Sequence, residues 1–297
     1  MRTTMISFLL LPVLSFAQEA PDYQAIEFQV GDVTRAALLY VPGDSGGGEP
    51  LPLVFDLHGT GSSPEQQDML SGLSAIAVRE GFLLVGGTAS YVRPSGGRIT
   101  WNADLDPDGV SDVDYVVAAI DAVDKIHPVD RKRVYATGMS GGGRMTSRLA
   151  CELADTLAAV APVAGVQFGK NCNPARPIPL ITFHSKNDPT NTYPGGNTER
   201  NPSWVAGVEG AISSWAEAES CAAEPMEETV TERVTRLSYR SCAKEAEVVF
   251  YRLENGGHSW PGTPVADRML ERTGIPTNMD INASELIWDF FEEHTLP

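Results

Sequence analysis

Strand-length apolar runs alternate with helical periodicities along almost the whole chain, and this alternation limits the fold more than any other feature. Residues 25–30 and 33–41 read as a hairpin turning at Gly31-Asp32, and 51–57 as an apolar strand. Ser63-Pro64-Glu65-Gln66 opens a helix that runs to Gly81: Ser63 can cap, Pro64 suits the first turn and Gln66 completes a capping box. Strands are then expected at 82–85, 133–137, 157–163, 178–183, 230–239 and 247–253. Helices are expected from Ser111 toward Pro128, with Val113, Val116, Val117, Ile120 and Val123 on the apolar side, and at 141–153, 204–220 and from Asn282 to near His294. A helix that crosses over between strands returns the chain to the same edge of the sheet, so consecutive strands lie parallel. The expected class is therefore α/β, with a mostly parallel central sheet and helices on both faces. No internal repeat or interdomain linker interrupts it, so 18–297 reads as a single domain. The Pro/Gly-rich stretches 91–109, 186–202 and 256–264 are short enough to be loops of one site.

The first 17 residues carry a different signal. Arg2 precedes an apolar run over 5–16, and Ser15 and Ala17 put small residues before a cut at Gln18. This reads as a secretory signal peptide, too short to span a bilayer, with no cysteine at the cut to take a lipid. The expected location is secreted or periplasmic, without a membrane anchor. Export permits disulfides. Cys151, Cys172, Cys221 and Cys242 allow three pairings, and the short closures Cys151–Cys172 and Cys221–Cys242 are expected. Each would contribute about 3 kcal/mol by limiting the unfolded chain. None of the four has the C-x-x-C spacing of a zinc site. With 39 acidic against 22 basic residues, the formal charge is -17. Such a surface repels phosphate backbones, so nucleic acid is not an expected partner.

Chemistry-bearing residues gather where strands end. Gly138-Met139-Ser140-Gly141-Gly142 fits G-x-S-x-G between a strand and a helix. That sharp turn lifts a serine hydroxyl clear of a sheet and aims the next amide, that of Gly141, at a developing oxyanion. A serine nucleophile needs a base, and with such an elbow the acid and then the histidine follow in the chain. Of the later histidines, His184 ends a strand and would support the loop after it, and His294 lies in the last helix. His258 follows Gly256-Gly257 beyond the last strand, where a loop can present its ring over Ser140. Asp188, between Asn187 and Pro189 in the loop after 178–183, is the expected acid; a turn-forming Asp is the alternative. The loop His58-Gly59-Thr60-Gly61-Ser62 also follows a strand, and the amide of Thr60 is the expected second oxyanion donor. Trp260 either lines the substrate pocket or braces the His258 loop.

Asp104, Asp106 and Asp108 stand at positions 1, 3 and 5 of a calcium-type loop, with Gly109 at 6 and Asp112 at 9. Position 12 is Tyr115, so the bidentate acid is missing, and an acidic turn leading the next helix is the competing reading.

Residues 130–165, which contain the Ser140 elbow, resemble secreted feruloyl esterases and their polyhydroxybutyrate-depolymerase-like relatives. The resemblance continues through Leu57-His58-Gly59, Trp101-Asn102-Ala103, His184-x-x-x-Asp188 and Gly256-Gly257-His258-Ser259-Trp260-Pro261-Gly262, and covers nearly all of 18–297. It implies an α/β-hydrolase fold with Ser140 as nucleophile, Asp188 as acid and His258 as base. It also implies hydrolysis of carboxylic esters, foremost feruloyl or other aryl esters of plant polysaccharide, with polyester or oligoester hydrolysis as the alternative. The expected partner is a small-molecule or polymer ester; no cofactor is required, and Ca²⁺ enters only through the acidic loop. An intact Ser/Asp/His set argues against an inactive binding module.

Overall fold

The computed structural model describes residues 22–43, 48–94, 96–104, 106–196 and 204–297. The expected signal peptide, 1–17, lies outside the described residues. The chain runs β1 (Tyr23–Val30), β2 (Val33–Tyr40), β3 (Leu51–Leu57), α1 (Pro64–Ser71), α2 (Leu73–Glu80), β4 (Leu83–Gly87), α3 (Asp112–Asp124), β5 (Val129–Met139) and α4 (Gly141–Glu152). It continues through β6 (Ala159–Val163), β7 (Leu180–Ser185), α5 (Gly207–Ala218), β8 (Met226–Thr231), β9 (Val234–Tyr239), β10 (Val248–Leu253), α6 (Ala266–Thr273) and α7 (Ala283–Glu292).

The strands form one sheet in the order β1-β2-β4-β3-β5-β6-β7-β10-β9-β8. From β4 through β3, β5, β6 and β7 to β10, neighbours run parallel. Antiparallel strands finish both edges. The central strands read as unbroken apolar runs because both of their faces are covered. Alternate side chains serve alternate faces. Leu53, Phe55 and Leu57 of β3 join a core with Ile120 of α3, Leu149 of α4 and Trp215 of α5. Val54 joins the opposite core, with Ile76 of α2 and Trp288 and Phe291 of α7. There Tyr135 stacks on Phe291 with ring centres 4.7 Å apart.

Four elements depart from the sequence expectation. The helix expected from Ser63 to Gly81 breaks at Gly72, which takes a left-handed φ of 66° and separates α1 from α2. Ser63 does cap Gln66, but the Gln66 side chain accepts from Ser62 instead of closing a capping box. The strand expected at 230–239 is the second half of a hairpin, β8 and β9, whose turn at Glu232-Arg233 lacks the Gly or Asn that marks such turns. On α3, Tyr115 is buried and Val117 is exposed, so its inner face is rotated from the expected valine stripe. Finally, α6 was not anticipated: it is short and polar, and Met269 is its only buried residue.

Both disulfides pair as expected, Cys151–Cys172 and Cys221–Cys242. The first ties the end of α4 to the loop after β6, and the second ties the exit of α5 to that of β9. Peptide mapping without reductant is expected to recover these two linked pairs; free thiols or a crossed pairing would refute them.

Candidate active site

Ser140 occupies the turn between β5 and α4 with φ 57° and ψ -111°. A non-glycine residue there carries backbone strain of about 1–3 kcal/mol, which persists only where its surroundings enforce it. The enforcement comes from the end of β3. A Cβ on Gly138 or on Gly142 would overlap the Leu57 carbonyl oxygen, so neither position admits a side chain. Ser140 N–H donates to Val163 O at 2.9 Å, pinning the turn to β6 as well.

Asp188 and His258 leave the adjacent parallel strands β7 and β10. His258 Nδ1 lies 2.7 Å from Asp188 Oδ2, and Asp188 Oδ1 accepts the amides of Thr190 and Asn191 at 2.7 and 2.9 Å. Burial by itself would raise this carboxyl, but the hydrogen bond and charge of His258, assisted by His184 and the Thr190 amide, hold it below the usual carboxylate range. An ionised carboxylate only accepts, so Nδ1 carries the proton of this bond and Nε2 is the ring nitrogen left for another partner. The loops are joined directly: Gly257 N–H donates to Asn187 Oδ1 at 2.9 Å. Ser140 and His258 line the same cleft of about 550 Å³. No hydrogen bond joins them, and pairs of this kind often tighten only when a substrate binds.

The loop after β3 forms another wall. A Cβ on Gly59 would stand 3.5 Å from Ser140 Cβ, and one on Gly141 would stand 3.0 Å from the Thr60 amide nitrogen. The Thr60 and Gly141 backbones therefore meet beside Ser140. Thr60 Oγ1 is 2.8 Å from Thr100 Oγ1, and Gly61 N–H donates to Ile99 O at 2.8 Å. Beneath the loop, buried His58 accepts from Ala89 N–H through Nε2, which leaves its Nδ1–H for Gly59 O at 2.8 Å. Burial lowers its pKa, in keeping with that neutral form. Trp101 Nε1–H donates to His58 O at 2.8 Å.

His184, expected to support its loop, does so at Asp188. It is fully enclosed, stacks on Trp204 with ring centres 5.7 Å apart, and reaches Asn191 O at 2.8 Å and Asp188 Oδ2 at 3.4 Å. Burial lowers its pKa, and because a carbonyl can only accept, Nε2 bears the proton. Its histidine-to-Asp188 spacing, i to i+4, was the only sequence sign of this contact.

Two expectations are corrected. Trp260 does not line the cleft: it is fully buried, donates Nε1–H to Ser284 Oγ at 2.9 Å, and so braces the His258 loop against α7. The carboxylates of Asp104, Asp106 and Asp108 are not gathered around a common point. Asp104 pairs with Arg93, while Asp106 accepts from Tyr91 Oη–H and from the Asp108 amide. Asp112 is buried against Arg35 and the Asn102 amide. Among the described residues no group of three or more His, Cys, Asp or Glu side chains is placed to hold a metal ion. The acidic pattern builds a hydrogen-bonded loop in place of a calcium site.

The sequence reading also missed Thr100, Asn187 and α6. Thr100 and Asn187 act through single hydrogen bonds that no spacing announces. The α6 residues Arg268, Met269 and Arg272 line the Ser140 cleft, and their i, i+4 arginines were the available signal.

The model of the family Esterase PHB depolymerase matches residues 35–238, a stretch containing the Thr60 loop, the Ser140 elbow and Asp188. The chain belongs to the Esterase PHB depolymerase family. NocK of Nocardia uniformis subsp. tsuyamanensis, which carries an esterase name, is 33% identical over 261 residues, covering 80% of this chain and 74% of NocK. Feruloyl esterase B of Piromyces equi is 28% identical over 235 residues, covering 76% of this chain and 42% of that protein, so this chain spans less than half of that relative. In fold, the chain is similar to the acetyl xylan esterase from Aspergillus awamori, with a TM-score of 0.58 at 14% identity over 85% of this chain and 99% of that one. This Esterase PHB depolymerase family member is a carboxylic ester hydrolase of the α/β-hydrolase fold. Among its described residues, no helix is long and apolar enough to cross a membrane.

Proposed function

We propose that the protein is a secreted serine esterase acting on feruloyl or other aryl esters of plant polysaccharide through Ser140, His258 and Asp188. The observation that carries the mechanism is the 2.7 Å contact between His258 and a buried, ionised Asp188, at the cleft that also holds the strained Ser140. His258 Nε2 takes the hydroxyl proton as Ser140 Oγ attacks the ester carbonyl. The amides of Thr60 and Gly141 donate to the oxyanion. His258 then returns the proton to the departing alcohol. Water, activated by the same nitrogen, hydrolyses the acyl-enzyme, and Asp188 stabilises the imidazolium in both halves. Every role is filled by the chain itself, so the reaction calls for no cofactor.

The aryl-ester substrate class is supported by the likeness to feruloyl esterase B. Polyester or oligoester hydrolysis is the second reading, favoured by the family to which the chain belongs. Export is supported by the two disulfides, which persist in oxidising compartments, and by the leader-like 1–17 segment. A panel of methyl ferulate, hydroxybutyrate oligomers and aromatic diesters tests the substrate class. The highest kcat/KM is expected on methyl ferulate; a preference for hydroxybutyrate oligomers or diesters would replace the aryl-ester reading with the polyester one.

A further inference from the structure

The charge around the Ser140 cleft is opposite to that of the protein as a whole. The chain carries 39 acidic and 22 basic residues, yet the residues lining this cleft include Arg98, Arg268 and Arg272 and no Asp or Glu. Several arginines elsewhere on the surface are matched with acids: Arg79 with Glu285, Arg131 with Asp124, Arg133 with Asp130 and Arg233 with Asp280. Among the described residues the three cleft arginines have no such partner. Arg268 and Arg272 donate instead to methionine sulfurs, those of Met69 and Met269.

Their positions are built into the site. Arg98 lies across Gly61, where a Cβ would overlap its side chain, and the Gly61–Ile99 hydrogen bond fastens that strand of loop directly beside Thr60. Arg268 and Arg272 are one helical turn apart on α6, so one face of that helix presents both guanidinium groups to the cleft, while Asp267 and Glu271 on the same helix are not among the lining residues. Guanidinium groups without a carboxylate partner offer paired N–H donors that suit one. A cleft of one sign also concentrates ligands of the other, and here it does so within a surface that otherwise repels anions.

We infer that Arg98, Arg268 and Arg272 form an anion subsite, and that of two otherwise matched esters the one with a free carboxylate near the scissile bond is preferred. This specificity rests on the proposed esterase chemistry at Ser140. The carboxylate can stand on the acyl side, as in a dicarboxylic hemiester, or on the alcohol side, as in an acylated uronate.

Matched substrates separate these sources. Mono-4-nitrophenyl succinate is compared with 4-nitrophenyl butyrate for the acyl side, and O-acetylated galacturonate oligomers with O-acetylated xylose oligomers for the alcohol side. The charged member of at least one pair is expected to have the higher kcat/KM at low ionic strength, with the preference shrinking in 0.5 M NaCl because exposed charges are then screened. In the triple variant Arg98→Gln, Arg268→Gln, Arg272→Gln the charged-to-neutral ratio is expected to fall about tenfold, and the matching lysine variant is expected to keep part of it. Calorimetric titration of succinate and galacturonate into Ser140→Ala protein reads the anion subsite without chemistry. Turnover of the neutral esters reads the esterase proposal alone. The inference is overturned if neither carboxylate binds the Ser140→Ala protein, or if the triple variant binds them as the parent does. An unchanged charged-to-neutral ratio in the triple variant also overturns it.

Discussion

Ser140→Ala is expected to lower ester turnover by about 10⁴-fold or more, the usual cost of removing a nucleophile from such a set. The folded protein is expected to survive the change. Alanine keeps the Cβ that Gly59 packs near, and the hydroxyl makes no hydrogen bond among the described residues, so its loss leaves no buried group unpaired. The strained backbone is held by Gly138, Gly142 and the bond to Val163, none of which depends on the hydroxyl. Initial rates on 4-nitrophenyl acetate, read beside a thermal melt, make the test. Activity within tenfold of the parent and an unchanged melt would end the serine-esterase mechanism.

Asp188→Asn is expected to reduce kcat by a comparable factor, about 10⁴-fold, with little change in KM. The carboxylate has one oxygen on His258 Nδ1 and the other on two backbone amides, so it acts as an acceptor on both sides. An asparagine that keeps its oxygen toward the amides must turn its NH₂ toward Nδ1. That drives the imidazole proton to Nε2, where the base requires a lone pair. The opposite flip points the NH₂ at the Thr190 and Asn191 amides and clashes donor against donor. Asp188 is buried and does not line the cleft, so KM is expected to be spared. A rise in KM with kcat intact would mean that Asp188 only shapes the loop and that another carboxylate serves His258.

Much of this site was legible in the sequence because each of its main parts sits at a strand end, and Thr60, Ser140 and His258 are also announced by glycines. The two glycines around Ser140 are required by the approach to Leu57, and the pair before His258 take φ values of 136° and 61°. Such constraints leave a mark on the sequence itself. The central strands were legible because burial on two faces makes them uniformly apolar. What could not be read was tertiary in origin. Nothing local distinguishes Asp104 or Asp106 as a calcium ligand from the same residue paired with Arg93 or Tyr91, since those partners arrive from the preceding segment of the loop. Trp260 looked equally suited to a pocket or a brace until Ser284, from α7, supplied its acceptor. Helix α6 was missed because a short helix that buries one methionine leaves no apolar stripe, only its i, i+4 arginines, to mark it.

The pairing of β7 with β10 has a mechanical consequence. The two strands run side by side with His184 opposite Arg252 and Ser185 opposite Leu253, so the loops bearing Asp188 and His258 spring from one rung of the ladder and are cross-linked just above it by Asn187 and Gly257. Ser140 is mounted on β5, with β6 intervening. In the proposed chemistry the machine thus divides into two carriages. Acid and base travel together as one, and the nucleophile with its amide donors rides on the other. Breathing of the sheet leaves the proton partner of the imidazole unchanged and opens or closes a single gap, the one between His258 and Ser140, into which the substrate must fit.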